Sequence, residues 1–199
     1  MFDSSLRALK DRLSEPLARR MARLSPQTVT WIALSFGLAA AVSAARGLRG
    51  WTLALWLLNR FLDGLDGTLA RLHRTQSDFG GYLDILFDFV AYAALPLGLV
   101  LAAPTPGNYL ALSLMLAAFY VNTAAWMYLA ALLEKHAARA AGTQTSIVMP
   151  AGLIGGTETV IAYGIFALFP AHIAPLFTVF TVLVCITILQ RLAWARKNL

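Results

Sequence analysis

Asp63, Asp66, Asp84 and Asp88 fall in one stretch, DGLDGTLARLHRTQSDFGGYLDILFD, inside or at the edge of two long apolar runs. The chain has only ten acidic residues, so four of them in apolar surroundings call for a counter-charge. One ionisable group in a membrane segment costs roughly 2.5–3.5 kcal/mol, and four would cost on the order of 10 kcal/mol uncompensated. Divalent cations would compensate, because hard cations take carboxylate oxygens as ligands. Two such cations about 3.5–4 Å apart can clamp the attacking and leaving oxygens of a phosphoryl displacement. The residue types therefore point to metal-assisted phosphoryl chemistry at a membrane.

The spacing says how these residues are positioned. Asp63 and Asp66 are three apart and share one helix face; Asp84 and Asp88 are four apart and share another. A short loop predicts antiparallel neighbouring helices, so the two pairs converge at one level. Gly64, Gly67, Ala70, Gly80 and Gly81 leave room beside them. Arg71 lies one turn beyond Gly67, placed to meet a phosphate. Plainer roles exist for several of these residues. The glycines suit close helix packing, and Arg71 and Arg74 suit headgroup anchoring. Asp63 could pair with Arg60 three residues earlier. Asp78 has the position of a helix N-cap.

The carboxylates sit in a chain that is 59% hydrophobic and only 13% charged. Soluble domains carry about 25% charged residues, so this composition predicts an integral membrane protein. Apolar runs long enough to span cover residues 28–45, 51–69, 81–103, 109–133, 151–169 and 173–193. The fifth is interrupted at its start by Pro150, Gly152, Gly155 and Gly156. The expected fold is all-α: six transmembrane helices over 28–193, preceded by an amphipathic surface helix over 1–24, in one domain spanning 1–199. In that first segment Leu6, Leu9, Leu13, Leu17, Met21 and Leu24 recur at helical spacing among basic residues. It lacks the apolar centre of a cleavable signal peptide.

Basic residues set the expected orientation. Arg7 to Arg23, Arg71, Arg74, Lys135, Arg139, Arg191, Arg196 and Lys197 fall on one side, and Arg46 and Arg49 on the other. Both termini and the aspartate end of the bundle are thus expected in the cytoplasm. The net charge of +6 then reads as attraction to anionic lipid rather than to nucleic acid. Cys185 is the lone cysteine, which excludes an intramolecular disulfide. His73, His136 and His172 are scattered and form no histidine metal site in the sequence.

The aspartate stretch resembles the CDP-alcohol phosphotransferase (CDP-alcohol phosphatidyltransferase) family. The family motif is D-x2-D-G-x2-A-R-x8-G-x3-D-x3-D. Asp63, Asp66, Gly67, Ala70, Arg71, Gly80, Asp84 and Asp88 match every fixed position. A weaker feature, P-N-x-x-T before the first span, stands here as Pro26, Gln27, Thr28, Val29, Thr30, with glutamine replacing asparagine. The resemblance implies that Asp63, Asp66 and Asp84 hold one Mg2+ or Mn2+ ion. It implies that Asp88 helps hold a second and serves as general base on an alcohol. Asp66, Gly67, Ala70, Arg71 and Gly80 would line the CDP pocket. The implied reaction transfers a phosphatidyl group from CDP-diacylglycerol to a polar alcohol and releases CMP, as in phospholipid biosynthesis. A homodimer in a bacterial inner membrane is also implied.

The acceptor is expected near GLIGGTET, residues 152–159, where Thr157 and Glu158 enter the fifth span, with Arg139 nearby. Few basic residues lie there, which favours a neutral or cationic alcohol over glycerol phosphate or inositol phosphate. The plain alternative makes Thr157 an N-cap and Glu158 part of a first helical turn. Two other classes compete. An aspartate-rich prenyltransferase would show two separate acidic motifs in a larger bundle. A divalent-cation transporter would show repeats and mid-membrane acids, and this chain shows neither.

Overall fold

The computed structural model describes residues 24–139 and 152–199. The expected surface helix over 1–24 lies outside the described residues, apart from Leu24. Among the described residues the regular structure is entirely helical. The helices are α1 (Pro26–Ala45), α2 (Arg49–His73), α3 (Asp78–Ala102), α4 (Pro106–Arg139), α5 (Gly156–Leu168) and α6 (Ile173–Asn198). A 3-10 turn, Pro170–His172, precedes α6. Helices α1, α3, α4 and α6 are long and apolar enough to cross a membrane. Their apolar side chains face outward as well as inward: Leu110, Leu114, Val121, Val179, Val182 and Leu189 are all at least half exposed. Patches of that kind suit contact with lipid. The protein is an integral membrane protein.

Helix α2 is long, but Arg60, Asp63, Asp66 and Arg71 lower its hydropathy. Helix α5 is short, at 13 residues, or about 20 Å at 1.5 Å per residue. The sequence places its start at residue 151; the helix begins at Gly156. The cause lies far along the chain. The backbone N–H groups of Leu153 and Ile154 donate to the Gln190 and Thr187 side chains of α6, at 2.9 Å each. Those bonds hold the segment outside the helical conformation.

Local chemistry fixes the other boundaries. Ser25 caps α1 by accepting from the Thr28 N–H at 3.1 Å, with Pro26 in the first turn. Gly47, at φ 70°, makes the tight turn into α2. Arg74 takes the left-handed conformation at φ 54° where α2 ends. There the Thr75 N–H returns to the Ala70 carbonyl at 3.0 Å. Ser77, rather than the expected Asp78, caps α3 and accepts from the Gly80 N–H at 3.1 Å. Asp78 is the first residue of that helix, where its charge suits the dipole.

The chain divides into two compact units, residues 1–104 with 163–171, and residues 105–162 with 172–199. In the first unit the extensive helix packing is α1 against α2 and α1 against α3. Small residues on α1 make this possible. Ala33, Gly37, Ala40 and Ala44 are buried. An added Cβ at Gly37 would stand 3.0 Å from Asn59 of α2 and 3.1 Å from Ala91 of α3. The short loop therefore does not make α2 and α3 tight neighbours; α1 packs along both, and side chains bridge the rest. Val29, Ala33, Leu62, Leu65 and Leu69 form the α1–α2 core, with Phe36 against it. In the second unit α4 packs on α6. Phe119 stacks on Phe180, and Arg191 donates to the Asn122 side-chain oxygen at 2.6 Å.

Gly98 lets α3 pack closely on α1 at Ala41. A Cβ there would collide with the Ala41 carbonyl oxygen, a backbone atom that cannot rotate away. Gly98→Leu is expected to destabilise the protein by about 1–3 kcal/mol or more, the usual cost of overpacking. Gly164→Ala, whose added methyl meets nothing within 4 Å, is the control. Thermal unfolding in detergent checks this; equal melting of the two variants would contradict the close packing.

Candidate active site

A cavity of about 570 Å³ opens among α1, α2 and α3. Helix α2 contributes Asp66, Gly67, Ala70 and Arg71; α3 contributes Gly80, Gly81 and Asp84. Ser25, Gln27 and Thr30 close it from the start of α1, and residues of the α2–α3 loop complete it. All five residues expected to line a nucleotide pocket are walls of this one cavity. The small ones keep it open. An added Cβ at Gly81 would meet nothing within 4 Å, and one at Gly67 would only touch Arg71 at 3.4 Å. Ala70→Leu would push a branched side chain into this space. Its expected effect is a several-fold higher KM for a cytidine donor at unchanged thermal stability. Unchanged donor kinetics would move the nucleotide pocket elsewhere.

The four carboxylates have distinct surroundings. Asp66 is buried, and its Oδ2 accepts from the Thr30 hydroxyl at 2.6 Å. Asp84 shares the cavity wall with it. Asp63 and Asp88 turn toward Arg60 instead. Arg60 Nη1 lies 2.6 Å from Asp88 Oδ1 and 3.7 Å from Asp63 Oδ2. Asp63 is nevertheless within electrostatic reach of Asp66, Asp84 and Asp88. Among the described residues, no three His, Cys, Asp or Glu side chains stand together as a ready metal cage. The hydrogen bond to Thr30 and the bridge to Arg60 engage oxygens of Asp66, Asp63 and Asp88.

The donor set still fits hard divalent cations. Four carboxylates supply oxygen ligands of the right kind. The two guanidinium groups beside them, Arg60 and Arg71, leave the cluster net negative. A net negative cluster attracts multivalent cations.

Several partners of the motif were not legible from spacing. Thr30 sits in the P-Q-T-V-T stretch, and its contact with Asp66 spans thirty-six residues. Asn59 links helices: its Nδ2 donates to the Ala33 carbonyl at 2.7 Å, and its Oδ1 accepts from Arg60 Nε at 2.7 Å. Trp56, Tyr92 and Tyr163 pack ring against ring behind Arg60, and the Tyr163 hydroxyl donates to the Tyr92 carbonyl at 2.8 Å. The expected pairing of Arg60 with Asp63 is present but long, and the short bond goes to Asp88.

The acceptor-site candidates belong to the second unit. Glu158 is exposed, and its Oε2 accepts from the Gly155 N–H at 3.0 Å. That is the back-reaching half of a capping box, with Gly155 rather than Thr157 as the cap. Thr157 is half-buried in the first turn of α5, and Arg139 is the last residue of α4.

A membrane helix bundle with aspartates and an arginine lining one pocket is an arrangement suited to phosphoryl-group transfer. The family model for CDP-alcohol phosphatidyltransferases matches residues 23–194, and the chain belongs to that family. It is 38% identical over 169 residues to Inner membrane protein YnjF of Escherichia coli, covering 84% of this chain and 81% of that one. Its fold is similar to that of phosphatidylinositol phosphate synthase PgsA1 of Mycobacterium tuberculosis. The TM-score is 0.66 and the identity 21% for the crystal structure with CDP-DAG bound, covering 92% of each chain. It is 0.67 and 22% for the complex with manganese and citrate, covering 90% of this chain and 87% of that one.

Proposed function

We propose that this protein transfers a phosphatidyl group from CDP-diacylglycerol to the hydroxyl of a polar alcohol and releases CMP. The observation that carries this reading is the cavity, lined by Asp66, Asp84 and Arg71, with Gly67, Ala70, Gly80 and Gly81 leaving it space. Its volume falls in the range of small-ligand sites, about 300–1,000 Å³. Arg71 lines it and can meet a phosphate. Asp63, Asp66 and Asp84 would hold one divalent cation, Mg2+ or Mn2+, and Asp88 would help hold a second. Bound cations would neutralise the diphosphate and stabilise departing CMP. Asp88 would accept the proton of the alcohol hydroxyl. Asp66, Gly67, Ala70, Arg71 and Gly80 would receive the cytidine diphosphate.

Helices α2 and α5 would cross with the other four, giving six spans with both termini and the cavity cytoplasmic in a bacterial inner membrane. That orientation puts a water-soluble alcohol and CMP on the side where the basic loops lie. Two copies would pair in the membrane, a reading that a monomeric mass in both detergent and nanodiscs would overturn. For the acceptor, Thr157, Glu158 and Arg139 are the candidates, and an unphosphorylated alcohol such as serine is favoured. The test incubates purified protein, Mn2+ and CDP-diacylglycerol with serine, plain polyols, glycerol phosphate and inositol phosphate. CMP release with a serine or polyol lipid product is expected. A dominant phosphorylated product would overturn the acceptor assignment, and no CMP release with any acceptor would overturn the reaction.

A further inference from the structure

Arg60 is an unusual residue to find in this position. Its side chain is 9% exposed, and it sits on the motif helix one turn before Asp63. The guanidinium is held on several sides. Nε donates to Asn59, and Nη1 donates to the Tyr92 hydroxyl at 3.1 Å and to Asp88 at 2.6 Å. Its Cζ lies 4.9 Å from the centre of the Trp56 ring and 5.0 Å from that of Tyr92. Both distances are within cation–π range. A surface ion pair needs none of this support. The aromatic rings and Asn59, itself tied to the Ala33 carbonyl of α1, leave the group little freedom to leave.

We propose that Arg60 is a positioning residue of the transfer site: its guanidinium orients the Asp88 carboxylate and competes with, without excluding, the divalent cations that Asp63 and Asp88 help to hold. This rests on the phosphatidyl-transfer reading above, because it assigns Arg60 to the same carboxylates. The physical argument is competition between charges. A fixed positive group 2.6 Å from one carboxylate and 3.7 Å from another repels a cation that approaches both. Its fork, with Nε on Asn59 and Nη1 on Asp88 Oδ1, also restricts where that one carboxylate oxygen points, which matters for a group that must meet a hydroxyl within hydrogen-bond reach. Two effects follow and can be separated. The charge weakens cation binding, and the fork aids turnover.

The experiment titrates Mn2+ into purified protein in detergent, reading free Mn2+ by electron paramagnetic resonance, and measures kcat for CMP release in parallel. Arg60→Gln and Arg60→Met remove the charge; Met also fits between the aromatic rings. Both are expected to bind Mn2+ about tenfold more tightly or better, since a unit charge at this range is strongly felt, while kcat falls. Arg60→Lys keeps the charge without the fork. It is expected to bind Mn2+ as the wild type does and to recover only part of kcat. Tyr92→Phe removes one hydroxyl from the clamp and retains the ring packing; it is expected to lower kcat several-fold at unchanged donor KM. Tighter Mn2+ binding in the neutral variants with reduced kcat would support the inference. Wild-type Mn2+ affinity in the neutral variants, or wild-type kcat in Tyr92→Phe, would overturn it while leaving the reaction itself intact. A wild type that binds no Mn2+ would overturn the metal reading and this inference together. Should the neutral variants fail to fold, the Tyr92→Phe kcat decides.

Discussion

Asp84→Asn is expected to abolish CMP release while the helices stay folded. Asp84 is a cavity wall together with Asp66. Asparagine keeps the shape of the side chain and removes its charge. The lost charge weakens the attraction for a divalent cation beside the diphosphate pocket. The lost oxygen removes a ligand that a hard cation prefers. Circular dichroism and thermal unfolding should match the wild type, whereas Mn2+ binding and CMP release should not. Full activity in this variant, or full wild-type activity in excess chelator, would sink the metal-site reading.

The second large effect is expected at Asp88. General base catalysis contributes roughly 10²–10⁴-fold, and Asp88→Asn should lose much of that in kcat. Asp88 is not a wall of the cavity, so binding of CDP-diacylglycerol should persist. The variant also strips Arg60 of its short carboxylate contact, leaving a buried guanidinium with Asn59, Tyr92 and the more distant Asp63. A moderate fall in melting temperature should therefore accompany the loss of turnover, unlike in Asp84→Asn. Normal kcat in Asp88→Asn would contradict the assignment of the base.

The contrast between these two aspartates shows what the sequence could and could not convey. The pairs at three and four residues' spacing, and the glycines between them, were legible because a helix repeats locally. The long apolar helices α1, α3, α4 and α6 were legible for the same reason. What escaped was every contact made across tens of residues. Nothing near Asp88 announces Arg60, and nothing near Asp66 announces Thr30. The late start of α5 depends on Thr187 and Gln190 in α6. Asp78 was credited with a cap that Ser77 provides, a one-residue error typical of helix ends.

The position of α1 along both motif helices also bears on the order in which the molecule is made. Every wall of the cavity comes from residues 24–84, a single uninterrupted stretch at the front of the described chain. Contacts between neighbours in sequence close small loops and form early. A nascent chain that has delivered α3 into the bilayer already carries the whole pocket, before α4 has left the ribosome. The ring cluster behind Arg60 is different, because Tyr163 arrives much later in synthesis and packs onto Trp56 and Tyr92. Pocket first, and the Tyr163 ring behind the clamp last, is the assembly sequence written into this topology.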